Sequence, residues 1–153
     1  MADECDISKR PPAAEGNPSP QEIEKLLRSI KTIAVVGLSN KPHRESYMVA
    51  GYLQSHGYEI LPVNPALADK GWEGTKAYAS LSDVPGRIDL VDLFRRAELI
   101  DEIVDGIIAI KPKAAWLQLG IVNNEAARKL RAAGIMVVQD KCMKIEHSAL
   151  IGG

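Results

Sequence analysis

Five short groups of residues each follow an apolar run: Gly37-Leu38-Ser39-Asn40-Lys41, Asn64-Pro65, Phe94-Arg95-Arg96, Gln118-Leu119-Gly120 and Asp140-Lys141-Cys142. The first lies in "TIAVVGLSNKPHRES", where one glycine, a hydroxyl, Lys41 and Arg44 lead into a helical pattern. A helix N-terminus presents unpaired N–H groups and a partial positive charge, and a glycine lets a ligand approach the backbone closely. That combination suits phosphate binding. A tight strand-to-helix turn with solvated cations accounts for the same residues about as well.

The turn is not a dinucleotide fingerprint. After Gly37 the chain reads L-S-N-K-P-H, without the later glycines of G-x-G-x-x-G. The second apolar run ends Val63-Asn64-Pro65, with no carboxylate to hold ribose hydroxyls. Ordinary NAD is therefore disfavoured. The cations suit a nucleotide carrying more phosphate, which admits NADP or coenzyme A.

Catalytic constellations are missing from the pattern. Asp89 and Asp92 flank one apolar run, Asp89 as a loop terminator and Asp92 as a partner for a nearby cation, and they show no acid–base pairing signal. His43 is a solvated turn residue, and His56 precedes a helix-ending glycine where its charge complements the dipole. Cys142, Glu146 and His147 are too few ligands for a tetrahedral zinc site, with Cys5 far away near the N-terminus. Cys142 is also a candidate for a mixed disulfide with a ligand thiol, should it lie exposed beside one. Trp116 reads as core, and Trp72 as packing over the sheet edge in preference to covering a base.

The elements that must position these residues are legible from pattern. Ile23, Leu26, Leu27 and Ile30 recur at helical spacing behind a Ser19-Pro20 start, which predicts a helix over Pro20–Ser29. "TIAVVGL", "YEILPVNP", "DLVDLF", "AAWLQLG" and "IMVVQD" are apolar throughout, so they are strands buried on both faces, with Ala77-Tyr78 as a brief sixth. Helices are predicted over 44–57, 97–110 and from an Asn123 cap to Gly134. Alternation of buried strands with helices gives an α/β architecture: a doubly wound, mainly parallel sheet of five or six strands, Rossmann-like, in three α/β/α layers. Ligands bind at the carboxyl ends of such strands, where strand order reverses.

Composition sets the class. The 153 residues fit one domain over 20–153, behind a flexible, proline-rich tail over 1–19 that lacks a periodic apolar face. Lys+Arg total 19 and Asp+Glu 20, a net charge of -1 that argues against bulk attraction to nucleic acid or an anionic membrane. No run reaches membrane-span length, and the N-terminus lacks a signal-peptide apolar core. Two cysteines form no disulfide framework, so a reducing cytoplasm is the expected home.

Three segments taken together resemble one family: "VVGLSNKPHRESYMVAGYLQSHGYEILPVNP", "YASLSDVPGRIDLVDLFR" and "AAWLQLGIVNNEAARKLRAAGIMVVQDKCMKIEH". They are similar, in order and spacing from about Ile30 to His147, to the small stand-alone CoA-binding proteins. Those in turn resemble the CoA-binding domain of the succinyl-CoA synthetase alpha subunit. The resemblance implies a Rossmann fold that holds the ADP part of CoA, or of an acyl-CoA, across the strand ends. It places Gly37, Leu38 and Ser39 against the pyrophosphate, and Lys41 and Arg44 near phosphate, including the ribose 3'-phosphate. Asn64 and Pro65 would line the adenosine pocket, Phe94 and Arg95 the central cleft, and Gln118 and Gly120 its continuation. The synthetases need a phosphorylated histidine and further domains that this sequence does not display, so the expectation is binding without catalysis. An NADP-linked oxidoreductase or a partner subunit of a CoA ligase is the alternative. A protein partner or homo-oligomer is left open.

Overall fold

The computed structural model describes residues 11–152. Helix α1 (Pro20–Ser29) opens with a capping box, in which the Ser19 hydroxyl accepts from the Glu22 N–H and the Glu22 carboxylate accepts from the Ser19 N–H. The chain then alternates through β1 (Thr32–Val36), α2 (Glu45–Ser55), β2 (Glu59–Val63), β3 (Leu90–Leu93), α3 (Val104–Ile110), β4 (Ala114–Leu117), α4 (Asn124–Ala132), β5 (Met136–Val138) and α5 (Met143–Leu150). Single 3₁₀ turns at Pro65–Leu67 and Leu81–Asp83 punctuate the long β2–β3 connection.

All strand pairs are parallel, in the order β2-β1-β3-β4-β5. The connection from β1 goes outward to the edge strand β2, and the next returns to the other side of β1. Strand order therefore reverses between β1 and β3, and this is the crevice where ligands bind in open α/β sheets. Pro62 sits in β2, at the edge, where its missing N–H costs least.

Strand residues alternate between two buried faces. Ile33, Val35, Leu90, Trp116 and Val138 pack with α1, α2 and α5 on one side. Ala34, Val36, Val91, Leu93, Leu117 and Val137 pack with α3 and α4 on the other. Both faces are covered by helices, which is why the strands read as uninterrupted apolar runs.

Two expected elements take a different form. The sheet has five strands; Tyr78 makes only a single bridge to Val63, through Tyr78 N–H to Pro62 O and Asn64 N–H to Tyr78 O. The helix expected over 97–110 is a 3₁₀ segment, Ala97–Glu102, followed by α3. The 3₁₀ half, AELIDE, holds the better helix formers and the α-helical half, VDGIIAI, the poorer ones, so tertiary packing overrides propensity here. Among the described residues no helix is long and apolar enough to cross a membrane.

Residues 13–17, ahead of α1, are pinned to the domain. The Asn17 amide pairs with the Gln139 backbone at 2.8 and 2.9 Å, Asn124 bonds Ala13 O and Glu15 N–H, and Glu15 meets Arg128 at 2.7 Å. Cys5 and the rest of residues 1–10 lie outside the described residues.

Candidate functional site

The site starts from the bend after β1. Gly37 has φ of +85°, a conformation that disfavours any residue with a Cβ, and its N–H donates to Val63 O at 2.9 Å. On the other side, Phe94 N–H donates to Val36 O at 3.0 Å. The bend is thus wedged between the ends of β2 and β3, at the reversal point.

Four contacts hold its shape. Ser46, buried in the first turn of α2, accepts the Ser39 N–H at 3.0 Å, and the Ser39 hydroxyl accepts the Lys41 N–H at 3.0 Å. Asn64 Nδ2 donates to Leu38 O at 3.0 Å, and Trp72 Nε1 donates to Ser39 O at 3.2 Å. The N–H groups of Leu38 and Asn40 have no partner among the described residues. Helix α2 has no side-chain cap at Arg44, so its leading N–H groups stay open as well. Lys41 and Arg44 are exposed beside these donors, and neither forms an ion pair among the described residues. Open N–H groups at a helix start beside two exposed cations form a geometry that can accept an anion.

Three clefts meet around Phe94. A pocket of about 360 Å³ is lined by Gly37, Ser39, Lys41, Arg44, Glu45, Ser46 and Phe94. A larger one of about 710 Å³ runs between the ends of β1, β2 and β3, with Gly37, Asn64, Pro65, Phe94, Arg95, Arg96, Ser80 and Ser82 on its walls. A third of about 470 Å³ extends past β4, over Gln118, Leu119 and Gly120. Arg95 and Arg96 border both of the larger clefts; Arg95 also reaches Glu102 at 3.9 Å.

Ten of the eleven residues singled out from sequence therefore line this connected surface. Leu38 does not. Its side chain is fully buried in the core, so what it can offer the bend is main chain. Asn64 lines the large cleft, yet its amide is spent on Leu38 O and on the Ala66 N–H, which makes it a brace for the bend. Trp72 is buried, edge-on to Tyr47 at 5.3 Å, and supports the bend from beneath; it offers no face to a base. Ser46, Ser80 and Ser82 escaped sequence reading because nothing local distinguishes a serine facing a cleft from a solvated one.

Beneath the cleft floor, Asp92 is fully buried on β3 and accepts a hydrogen bond from Gln118 Nε2, where a cation was expected as partner. Gln118 Oε1 in turn accepts from Met143 N–H at 3.4 Å. The second Asp92 oxygen has no partner among the described residues. Burial pushes this carboxyl up to about 7, against the opposing pull of the Gln118 bond. Asp89 behaves oppositely. Burial works against its charge, but N–H groups of Lys31 and Thr32 outweigh it and hold the carboxyl below its usual range.

Cys142 and His147 sit at opposite ends of α5, Cys142 at the N-cap and His147 in the last turn. His147 is buried, bonded through Nδ1 to the Tyr52 hydroxyl at 2.9 Å, and burial lowers its pKa. Trp116 is core, with Nε1 donating to Lys141 O at 2.8 Å.

Several known proteins are similar to this chain. Residues 31–148 match the family model for the CoA binding domain. An uncharacterised Bacillus subtilis protein, YneT, is 42% identical over 132 residues, covering 86% of this chain and 96% of its own. The solved Thermus thermophilus protein designated cell-free ID.343 superposes with a TM-score of 0.84 at 38% identity, over 87% of this chain and 99% of the other. The alpha subunit of acetate–CoA ligase (ADP-forming) II from Pyrococcus furiosus is 39% identical over 59 residues, 38% of this chain and 12% of that subunit. The chain belongs to the CoA-binding domain family, with a relative in the alpha subunit of an ADP-forming acetate–CoA ligase.

Proposed function

We propose that this protein holds coenzyme A, or an acyl-CoA, with the ADP-3'-phosphate part across the strand ends, and performs no reaction of its own. The observation that carries the reading is the cradle at the α2 N-terminus: Gly37 and Ser39 on the bend, with Lys41 and Arg44 beside open N–H groups. The pyrophosphate sits on the bend, the two cations serve the ribose 3'-phosphate, and the adenosine enters the large cleft bordered by Asn64 and Pro65. Phe94 and Arg95 stand at the centre, where the pantetheine arm turns toward Gln118 and Gly120.

Binding without turnover is supported by what lines the clefts. Among the described residues, no histidine or cysteine borders them, and the buried Asp92 is separated from them by Gln118. The protein would then buffer, sense or present CoA in a reducing cytoplasm. The likeness to a ligase alpha subunit favours one second reading, a module that delivers CoA to a partner chain.

Thermal-shift titration of ligand-stripped protein with CoA, dephospho-CoA, NADP and NAD tests the reading. A ligand that binds only the folded state raises the midpoint by mass action. The expected order is a large shift with CoA, a smaller one with dephospho-CoA, and little with NAD. A preference for NADP would favour an oxidoreductase, and no shift with any would remove the proposal.

A further inference from the structure

We propose that the cleft beyond Phe94 is a subsite for a short, uncharged acyl group carried as a CoA thioester. This rests on the reading that the ADP part lies at the Gly37 bend. The two ends of the connected surface differ in chemistry. The cradle end is cationic; the far end is walled by Leu119, Ile121, Val122, Pro11 and Pro12. Leu119 is 56% exposed, one of three large apolar side chains left so open among the described residues. An exposed leucine at a cleft mouth gains from covering by hydrocarbon.

The proline wall is built, not incidental. Asn17 pairs through both of its amide atoms with the backbone of Gln139, which is completely buried. Gln139 spends its own side chain on Asn123 N–H and Asn124 Oδ1, and Asn124 holds Ala13 and Glu15. This chain of contacts carries residues 13–17 across α4 and β5 and sets Pro11 and Pro12 against the cleft. Prolines bring apolar surface and no N–H donor, so they reward hydrocarbon and give no hydrogen bond to a carboxylate acyl terminus. The charged residues on the same cleft are two of each sign, Glu45 and Glu98 against Arg95 and Arg96. A carboxylate-bearing acyl group therefore meets no net attraction there. The volume of about 470 Å³ suits the pantetheine end with a few added carbons.

The test is calorimetric titration of the full chain with adenosine 3',5'-bisphosphate, CoA, butyryl-CoA and succinyl-CoA. Butyryl-CoA is expected to bind about tenfold tighter than CoA, from the few methylenes it buries. Succinyl-CoA is expected to stay within about twofold of CoA, because apolar burial is offset by desolvating its carboxylate. Leu119→Asp should erase the butyryl preference, and Asn17→Ala should reduce it, both leaving bisphosphate affinity unchanged. Equal binding of CoA and butyryl-CoA to the wild type would overturn the subsite, as would a Leu119→Asp protein that loses bisphosphate and butyryl-CoA alike. Bisphosphate and CoA binding without acyl preference defeats the subsite alone, whereas failure of both to bind defeats the CoA reading and the subsite with it.

Discussion

A Cβ placed on Gly37 would lie 2.5 Å from the carbonyl oxygen of Phe94. The bend after β1 and the end of β3 are thus in backbone contact at the point where strand order reverses. Neither side can yield, because Gly37 N–H is tied to Val63 O and Phe94 N–H to Val36 O. Gly37→Ala is expected to destabilise by at least about 2 kcal/mol, from left-handed strain plus a main-chain clash. Gly51, inside α2 with nothing within 4 Å of its virtual Cβ, is the control. Gly51→Ala is expected to stabilise by about 0.5–1 kcal/mol through helix propensity. Urea denaturation of both variants measures the contrast.

The proposed reading gives Lys41 and Arg44 to phosphate, and neither forms an ion pair among the described residues. Each alanine variant is expected to weaken CoA binding roughly tenfold while leaving thermal stability nearly unchanged, since exposed unpaired cations contribute little to folding. Dephospho-CoA affinity should fall less than CoA affinity for whichever residue holds the 3'-phosphate. Isothermal titration with both ligands separates the two roles.

Trp72 reaches back over 33 positions to bond Ser39 O. Trp72→Phe keeps most of the buried ring and removes that donor, so it should cost about 1 kcal/mol of stability. Because the freed carbonyl belongs to the cradle, CoA affinity should fall as well. A variant with lowered stability and unchanged CoA affinity would show that the Trp72 bond does not shape the bend.

Asp92 makes stability depend on pH in a definite direction. Its carboxyl is raised in the folded state from the ordinary 3.8 to about 7. Below pH 3.8 both folded and unfolded chains hold the proton; between about 4 and 7 only the folded chain does. The stabilising contribution is therefore complete below about pH 4, is lost progressively as pH rises from about 4 to 7, and is gone above that, on the order of a few kcal/mol in all. The difference in unfolding free energy between wild type and Asp92→Asn should shrink or reverse from pH 5 to pH 8. His147 works in the opposite sense on the acid side, since its lowered pKa loses stability as pH falls, and taking the difference between variants cancels it. A pH-independent difference, or a carboxyl carbon resonance titrating near pH 4, would contradict the assignment.

Much of this was legible in the sequence because burial on both faces writes itself as unbroken apolar runs. "TIAVV" and "AAWL" could only be central strands, and their ends named the cleft. The Ser19-Pro20 helix start and the Asn123 cap were local signals and appear where the pattern put them. Relationships over long separations left no such mark. Leu38 follows the glycine of a polar bend and still turns fully into the core, because the bend is pulled inward by Asn64 and Trp72. Asp92 gave no hint that its partner would be the neutral Gln118, one strand away and 26 residues on. The break of 97–110 into two helical forms reflects packing that propensity alone does not decide.

The cation-lined bend at the head of α2 as the seat of a phosphorylated adenosine carrier is best examined by a crystal structure of the full chain soaked with coenzyme A. Pyrophosphate oxygens are expected on the N–H groups between Gly37 and Lys41, with the 3'-phosphate within hydrogen-bonding distance of Lys41 or Arg44. Density for the ligand elsewhere on the surface, with that bend vacant at saturating coenzyme A, would contradict it.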